Sequence, residues 1–167
     1  MSPLGISKAT ATEYAFILGK IPNGTNIHDA DILRLNIFSI ALPGVSLTNT
    51  EMPWEGSHVQ YHIGGITFDP LNINFIVDSE FENWKTLFRW LTYIANNKDI
   101  PSQKPDDYVT DANIIIYDNF SNPHTFVTFK NIWIQSLGEL TFSIRDGETH
   151  IECNAIFYYD RYEIADT

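Results

Sequence analysis

The histidines of this sequence are the first candidates for a metal site. The five histidines are His28, His58, His62, His124 and His150. None belongs to the helical pair, four residues apart with an intervening Glu, that binds zinc in metalloproteases. His58 and His62 are four residues apart, but in a predicted strand that spacing separates them by about 13 Å. The two histidines are then too far apart to bind the same ion, so the sequence predicts no metal site.

The single cysteine and two aspartate pairs are weak candidates for a nucleophile or an acid–base pair. Cys153 falls on the apolar face of a predicted strand, where a thiol packs as a small hydrophobe. Asp29/Asp31 and Asp106/Asp107 lie in predicted loops, where carboxylates cap turns and remain solvated. The sequence therefore predicts no enzyme and no cofactor.

The elements that position these side chains are mostly β-strands. Short apolar and aromatic runs are separated by Gly, Pro, Asn and Asp, a pattern typical of an all-β domain. We predict eight strands, at residues 13–21, 32–40, 58–63, 67–77, 113–117, 125–133, 139–144 and 149–159. A hairpin turn is predicted at Asp146-Gly147, between the last two strands, because both residue types tolerate a positive φ.

One segment departs from the β pattern. At residues 80–97 the apolar side chains recur three and four residues apart, which predicts an amphipathic helix with Ser79 as its N-cap. The stripe expected to face the core contains Phe81, Trp84, Phe88, Leu91 and Ala95.

The domain organisation follows from these elements. We predict a single domain over residues 1–167, mainly β, as a two-sheet sandwich or barrel with one flanking helix. Residues 1–12 would form an N-terminal arm. Residues 42–65, rich in Pro and Gly, would form a long projecting hairpin or loop.

Composition excludes several classes of function. With 10 Lys and Arg against 21 Asp and Glu, the net charge is −11, which disfavours tight DNA binding. The chain is 44% hydrophobic and 19% charged, far from the composition of a disordered protein. No apolar run is long enough to span a membrane, so we expect no membrane insertion by this chain.

Three stretches in fixed order carry a resemblance to a known family. They are Ala-Leu-Pro-Gly-Val at residues 41–45, the strand-to-helix passage at residues 67–90, and Ile-Trp-Ile-Gln-Ser-Leu-Gly-Glu-Leu at residues 132–140. Together they resemble the T4-type tail tube proteins of contractile bacteriophages, which are related to the tube proteins of contractile injection systems. The resemblance covers roughly residues 13 to 163.

The resemblance implies a structural virion protein that assembles in the host cytoplasm and forms hexameric rings stacked into the inner tail tube. The implied partners are the tail sheath protein and the baseplate and tail-terminator proteins. DNA would pass through the channel during genome ejection without tight binding. A tube-like adaptor in the baseplate or at the tube end is the alternative within this family.

The resemblance and the strand alternation together predict three sets of site residues. Those predicted to contact the adjacent ring or neighbouring subunit, from the projecting loop, are Val45, Met52, Trp54 and Val59. Those predicted to face the lumen are Asn72, Asn74, Thr141, Ser143, Glu152 and Asn154. Those predicted to contact the sheath, from the helix, are Glu82, Lys85 and Arg89.

A carbohydrate-binding sandwich is the competing hypothesis from a different class. Trp54 and Trp133 would then be exposed and would stack on sugar rings. Such modules combine aromatic side chains with clustered polar groups on one sheet face. Ring or tube formation in electron micrographs would separate the two hypotheses.

Overall fold

Nine strands and one helix are present in the part of the chain that the computed structural model describes, namely residues 13–19, 21, 37–54, 57–96, 108–118, 120–142 and 150–166. For Trp54 and residues 57–59 and 61–63 only the backbone is described. The strands are β1 (Tyr14–Leu18), β2 (Ile37–Ala41), β3 (Val45–Trp54), β4 (Ser57–Phe68), β5 (Leu71–Ile76), β6 (Thr110–Tyr117), β7 (Pro123–Leu137), β8 (Glu152–Tyr158) and β9 (Arg161–Asp166). The helix, α1, is Glu82–Asn96. The predicted fold class, mainly β with two sheets and one flanking helix, is confirmed.

Seven strands form one antiparallel sheet in which the long strand β7 belongs to two halves. Its first part pairs with β6 on one edge and β9 on the other, and β1 pairs with β6; we call this the β6 half. Its last part, residues 133–137, pairs with β8, followed by β5 and β2; we call this the β8 half. β3 and β4 form a separate two-stranded sheet, the hairpin.

β7 passes from the β6 half to the β8 half close to Asn131, whose φ is 55°. Its backbone N–H donates to Asp111 at 3.1 Å, and its side-chain amide donates to Asp160 at 2.5 Å. Lys130 donates to the other Asp111 oxygen at 2.7 Å. This hydrogen bond, more than any other cause, holds the pKa of the Asp111 carboxyl below its usual value.

The helix covers the apolar face of the β8 half. Leu87 and Trp90 are fully buried, the Trp90 ring lies 6.1 Å from Phe157, and the indole N–H donates to the Tyr108 carbonyl at 3.0 Å. Two details of the prediction are wrong. Asp78, rather than Ser79, accepts the Glu82 N–H at the start of the helix, at 2.7 Å.

The predicted core stripe of the helix is right for Phe81, Trp84 and Leu91, which are partly buried against the core, and wrong for the other two residues. Phe88 is 46% exposed and Ala95 is exposed, whereas the buried helix residues are Asn83, Thr86, Leu87 and Trp90. Asn83 is tolerated inside because its amide donates to the Ile76 carbonyl at 2.8 Å and its side-chain oxygen accepts the Trp84 N–H.

The predicted strand at residues 139–144 is wrong over its described part, because residues 139–142 lie outside any strand. β7 continues instead to Leu137 and itself pairs with β8, whose other edge is occupied by β5. Gly138, directly after β7, adds a further backbone hydrogen bond to β8 by donating its N–H to the Asn154 carbonyl at 2.7 Å. The predicted turn at Asp146-Gly147 lies outside the described residues.

Candidate functional site

The outward face of the β8 half is the first candidate surface. Along β5 the side chains of Leu71, Ile73 and Phe75 are buried, so Asn72 and Asn74 point to the opposite face. β8 alternates in the same way, with Cys153, Ala155 and Phe157 buried and with Glu152 and Asn154 on the outside. The structure thus brings four of the six predicted lumen residues onto one face.

Two of these side chains contact each other directly. Asn74 and Asn154 lie opposite one another in the β5–β8 register, and the Asn154 amide donates to the Asn74 side-chain oxygen at 3.0 Å. The pair links neighbouring strands through uncharged groups. It therefore supplies polarity without a charge that would bind an ion or a phosphate.

The charge of this face is close to zero. Across the four strand segments of the β8 half, residues 37–41, 71–76, 133–137 and 152–158, there is no Lys or Arg, and Glu152 is the only acidic residue. The surplus of acidic residues in the chain therefore lies elsewhere. A face of this kind does not attract a phosphate backbone.

The two remaining predicted lumen residues are not placed on this face. Thr141 lies in the exposed segment after β7, because the strand expected there does not form. Ser143 falls outside the described residues.

Sequence reasoning missed an aromatic pair at one end of the same face. Trp133 and Tyr158 lie opposite each other on β7 and β8, with ring centroids 5.5 Å apart, and Tyr158 is exposed. The cross-strand register that pairs them depends on β7 extending beyond residue 133. A longer predicted strand would have revealed the pair.

The hairpin is the second candidate surface. Val45 and Leu47 on β3 lie opposite Phe68 and Ile66 on β4, and alternation places these four side chains on one side. Val45, Leu47 and Ile66 are each at least half exposed. The hairpin therefore presents apolar side chains that its own body does not cover.

The other predicted contact residues also lie in this hairpin. Met52 is exposed on β3, whereas for Trp54 on β3 and Val59 on β4 only the backbone is described. A register shift between Leu47 and Asn49 occurs opposite Gly64 and Gly65, whose φ values are 82° and 98°. Glycine fits this irregularity because other residues rarely adopt such angles.

The helix presents the third predicted set as a small ion cluster. Lys85 lies 3.0 Å from one Glu82 oxygen, and Arg89 lies 4.0 Å from the other. All three side chains are substantially exposed, so these pairs contribute little to stability. They remain available for contact with a partner.

The part of the chain that is described offers no evident catalytic or metal-binding arrangement. No group of three or more His, Cys, Asp or Glu side chains that could hold a metal ion occurs among the described residues. Cys153 is buried, and burial raises the pKa of its thiol. Among these residues no helix has the length and apolar character needed to cross a membrane.

Comparison with known families gives the decisive observation. The family model described as phage tail tube protein matches residues 8–165. This chain belongs to the phage tail tube protein family. It is therefore a structural component of the bacteriophage virion, and the resemblance found in the motifs is confirmed.

Two relatives are tail proteins of Enterobacteria phage T4. Over 140 residues the chain is 26% identical to the tail tube terminator protein of Enterobacteria phage T4, an alignment covering 78% of this chain and 77% of that protein. It is 28% identical over 141 residues to the baseplate tail-tube junction protein gp54 of the same phage. That alignment covers 81% of this chain but only 43% of the junction protein.

Solved structures share the fold of this tail tube family protein. The tube terminating cap of the anti-feeding prophage matches with a TM-score of 0.67 at 12% identity, over 96% of this chain and 93% of the cap. The sheath/tube terminator of an extracellular contractile injection system, PVC, matches with a TM-score of 0.66 at 13% identity, over 96% of this chain and 99% of that one. Identities this low show a common fold alone.

Proposed function

We propose that this protein forms a ring at an end of the tail tube of a contractile phage, as a terminator or junction subunit. The observation that carries the proposal is its similarity to the T4 tail tube terminator over most of both chains. The similarity to the tail-tube junction protein favours the same tube-end role. Of the two roles inferred from the motifs, the adaptor at the tube end is therefore preferred to the repeated tube subunit.

The outward face of the β8 half supports the channel that this function requires. A ring whose inner wall has no Lys or Arg side chains lets DNA pass without binding its phosphates. We propose that Asn72, Asn74, Glu152 and Asn154 line this channel in a ring of six copies. The Asn74–Asn154 hydrogen bond makes part of that wall polar without adding charge.

The hairpin supports the contacts that hold such a ring in the tail. Its exposed apolar side chains, Val45 and Met52 among them, would be covered by a neighbouring subunit or an adjacent ring. Glu82, Lys85 and Arg89 are proposed to contact the sheath or its terminator. Assembly is proposed to take place in the host cytoplasm.

The location of the protein in the tail tests this function. Antibody or gold labelling of intact tails should mark the end of the tube, and negative-stain images of the purified protein should show rings. Label distributed along the whole tube would instead support the repeated subunit. Purified protein that stays monomeric and gains thermal stability with glycans would support the carbohydrate-binding alternative.

A further inference from the structure

The hairpin is joined to the rest of the protein by two short segments, Pro43-Gly44 and Asp69, which we call the root. Pro43 and Gly44 precede β3, and Asp69 follows β4. The Asp69 N–H donates to the Gly44 carbonyl at 3.1 Å, which closes the root. Beyond it, β3 and β4 make extensive contacts only with each other among the described elements. The direction of the hairpin therefore depends on what holds the root.

Two tyrosines from another part of the chain bind both sides of this root. The Tyr159 hydroxyl donates to the Asp69 carbonyl at 2.7 Å, and the Tyr162 hydroxyl donates to the Pro43 carbonyl at 3.2 Å. Tyr159 lies between β8 and β9, and Tyr162 lies on β9. Both sides of the root are thus hydrogen-bonded to residues 159–162, the segment that leads from β8 into β9 and so from one half of the seven-stranded sheet to the other.

Ring packing connects the same tyrosines to the core. The Phe68 ring at the end of β4 lies 5.9 Å from Tyr159 and 5.3 Å from Tyr162. The fully buried Phe129 lies 4.9 Å and 5.5 Å from the same two rings. The tyrosines therefore stand between the hairpin root and a fixed point of the core.

We infer that Tyr159 and Tyr162 act as a latch that sets the direction in which the hairpin projects. They are positioning residues for the assembly contact, and this use of the hairpin rests on the proposed function. The rings supply packing, and the hydroxyls fix the two root carbonyls. Without the hydroxyls the hairpin would still form, but its approach to a neighbouring subunit would no longer be preset.

The double variant Tyr159→Phe/Tyr162→Phe tests the latch, because it removes both hydroxyls and keeps both rings. Tyr158→Phe is the matched control: Tyr158 is adjacent, exposed and packed on Trp133, and its hydroxyl has no partner among the described residues. Hydrogen exchange should rise about tenfold at the Gly44–Asp69 root in the double variant and remain unchanged in the control. Exchange in β6 and the first part of β7 should stay at the wild-type rate.

Assembly is the second measurement. The double variant should need a clearly higher protein concentration to form rings, or to join tubes, than the wild type and the Tyr158→Phe control. Root exchange and assembly both equal to wild type would overturn the latch. Exchange raised uniformly over the whole sheet would also overturn it, because the hydroxyls would then serve general stability.

The two proposals fail separately. If the wild-type protein forms no ring under any condition, the proposed function is wrong, and hydrogen exchange at the root still decides whether the latch exists. If rings form normally in the double variant while the root exchanges faster, the tyrosines hold the root but do not position an assembly contact, and the inference is wrong.

Discussion

The hydroxyl of Tyr159 loses its proton at a higher pH than that of an ordinary tyrosine, because burial raises its pKa from the usual 10.0 to about 12. A pKa that is higher in the folded state means that folding favours the neutral, protonated hydroxyl. Its contribution to stability is therefore complete below about pH 10 and is lost as the pH rises through about 12. Near neutral pH the hydroxyl remains a hydrogen-bond donor to Asp69.

Because the pKa of Tyr159 is raised by folding, the free energy of unfolding should depend on this residue at high pH. Between about pH 10 and pH 12 the wild type should lose more stability than Tyr159→Phe, which has no hydroxyl to ionise. Urea denaturation at a series of pH values measures the difference. A Tyr159→Phe curve parallel to that of the wild type would contradict the assignment.

Asn131, where β7 passes between the two halves of the sheet, allows a test of the contribution of a positive φ. Its positive φ favours Asn or Gly, and its amide also donates to Asp160. Asn131→Ala should lower the free energy of unfolding by about 1–2 kcal/mol, because it loses both the amide and the tolerated backbone angle. Asn131→Gly keeps the angle, so it should cost less, and thermal or urea denaturation of the two variants compares them. Equal costs would show that the backbone angle contributes nothing.

At the scale of elements, comparing substitutions of two aromatic residues tests which side of the helix is buried. Trp90 is almost fully buried, whereas Phe88 is 46% exposed and stacks on Trp84 with ring centroids 5.1 Å apart. Trp90→Ala should cost about 3–5 kcal/mol of stability, the usual range for a buried aromatic side chain. Phe88→Ala should cost much less, and denaturant titration of both variants measures the difference. A larger cost for Phe88→Ala would return Phe88 to the core, as the sequence predicted.

The elements also show what the sequence could and could not predict. Strict alternation identified the two faces of β5 and β8, since one side of each strand is buried. The same alternation at Leu140 and Phe142 was misleading: Phe142 is exposed in the segment after β7. β9 was missed because its alternation of polar and apolar residues covers only the four residues from Arg161 to Ile164, and five of its six side chains, all except that of Tyr162, are exposed.

The functional surfaces were predictable to different degrees. Asn72, Asn74, Glu152 and Asn154 followed from periodicity, because a strand's own pattern assigns its faces. The latch did not, since Tyr159 and Asp69 are 90 residues apart in sequence, Tyr162 and Pro43 are 119 apart, and each pair meets only through the tertiary fold. Pairings this distant in sequence have no local signal.

At the scale of the whole molecule, the sheet has edges that the proposed ring would use. In the described residues β1 pairs only with β6, and β2 pairs only with β5, so each leaves one edge without a strand partner. Exposed strand edges promote association. Closing six copies into a ring would cover such edges and would place the neutral face of each β8 half toward a common channel.

The charge of that channel can be changed at one position. Glu152 is exposed on the outward face of β8, so Glu152→Lys should leave the fold intact while placing a cation on every subunit of the ring. Each cation can bind a phosphate and release counterions, and this binding weakens as salt is raised. Rings of the variant should therefore bind short duplex DNA at low salt, with an affinity that falls steeply with salt concentration, and genome release from variant virions should slow. Fluorescence anisotropy of labelled DNA and the rate of genome release measure the two effects.

Glu139→Lys is the control for this substitution, because it makes the same change of charge on an exposed residue outside the strands. Its rings should bind DNA no more tightly than wild-type rings if binding depends on the channel rather than on net charge, which changes equally in both variants. Intact Glu152→Lys rings that bind no DNA at low salt would place Glu152 outside the channel. Equal binding by the two variants would attribute the effect to total charge, and the neutral face of the β8 half would then need another explanation.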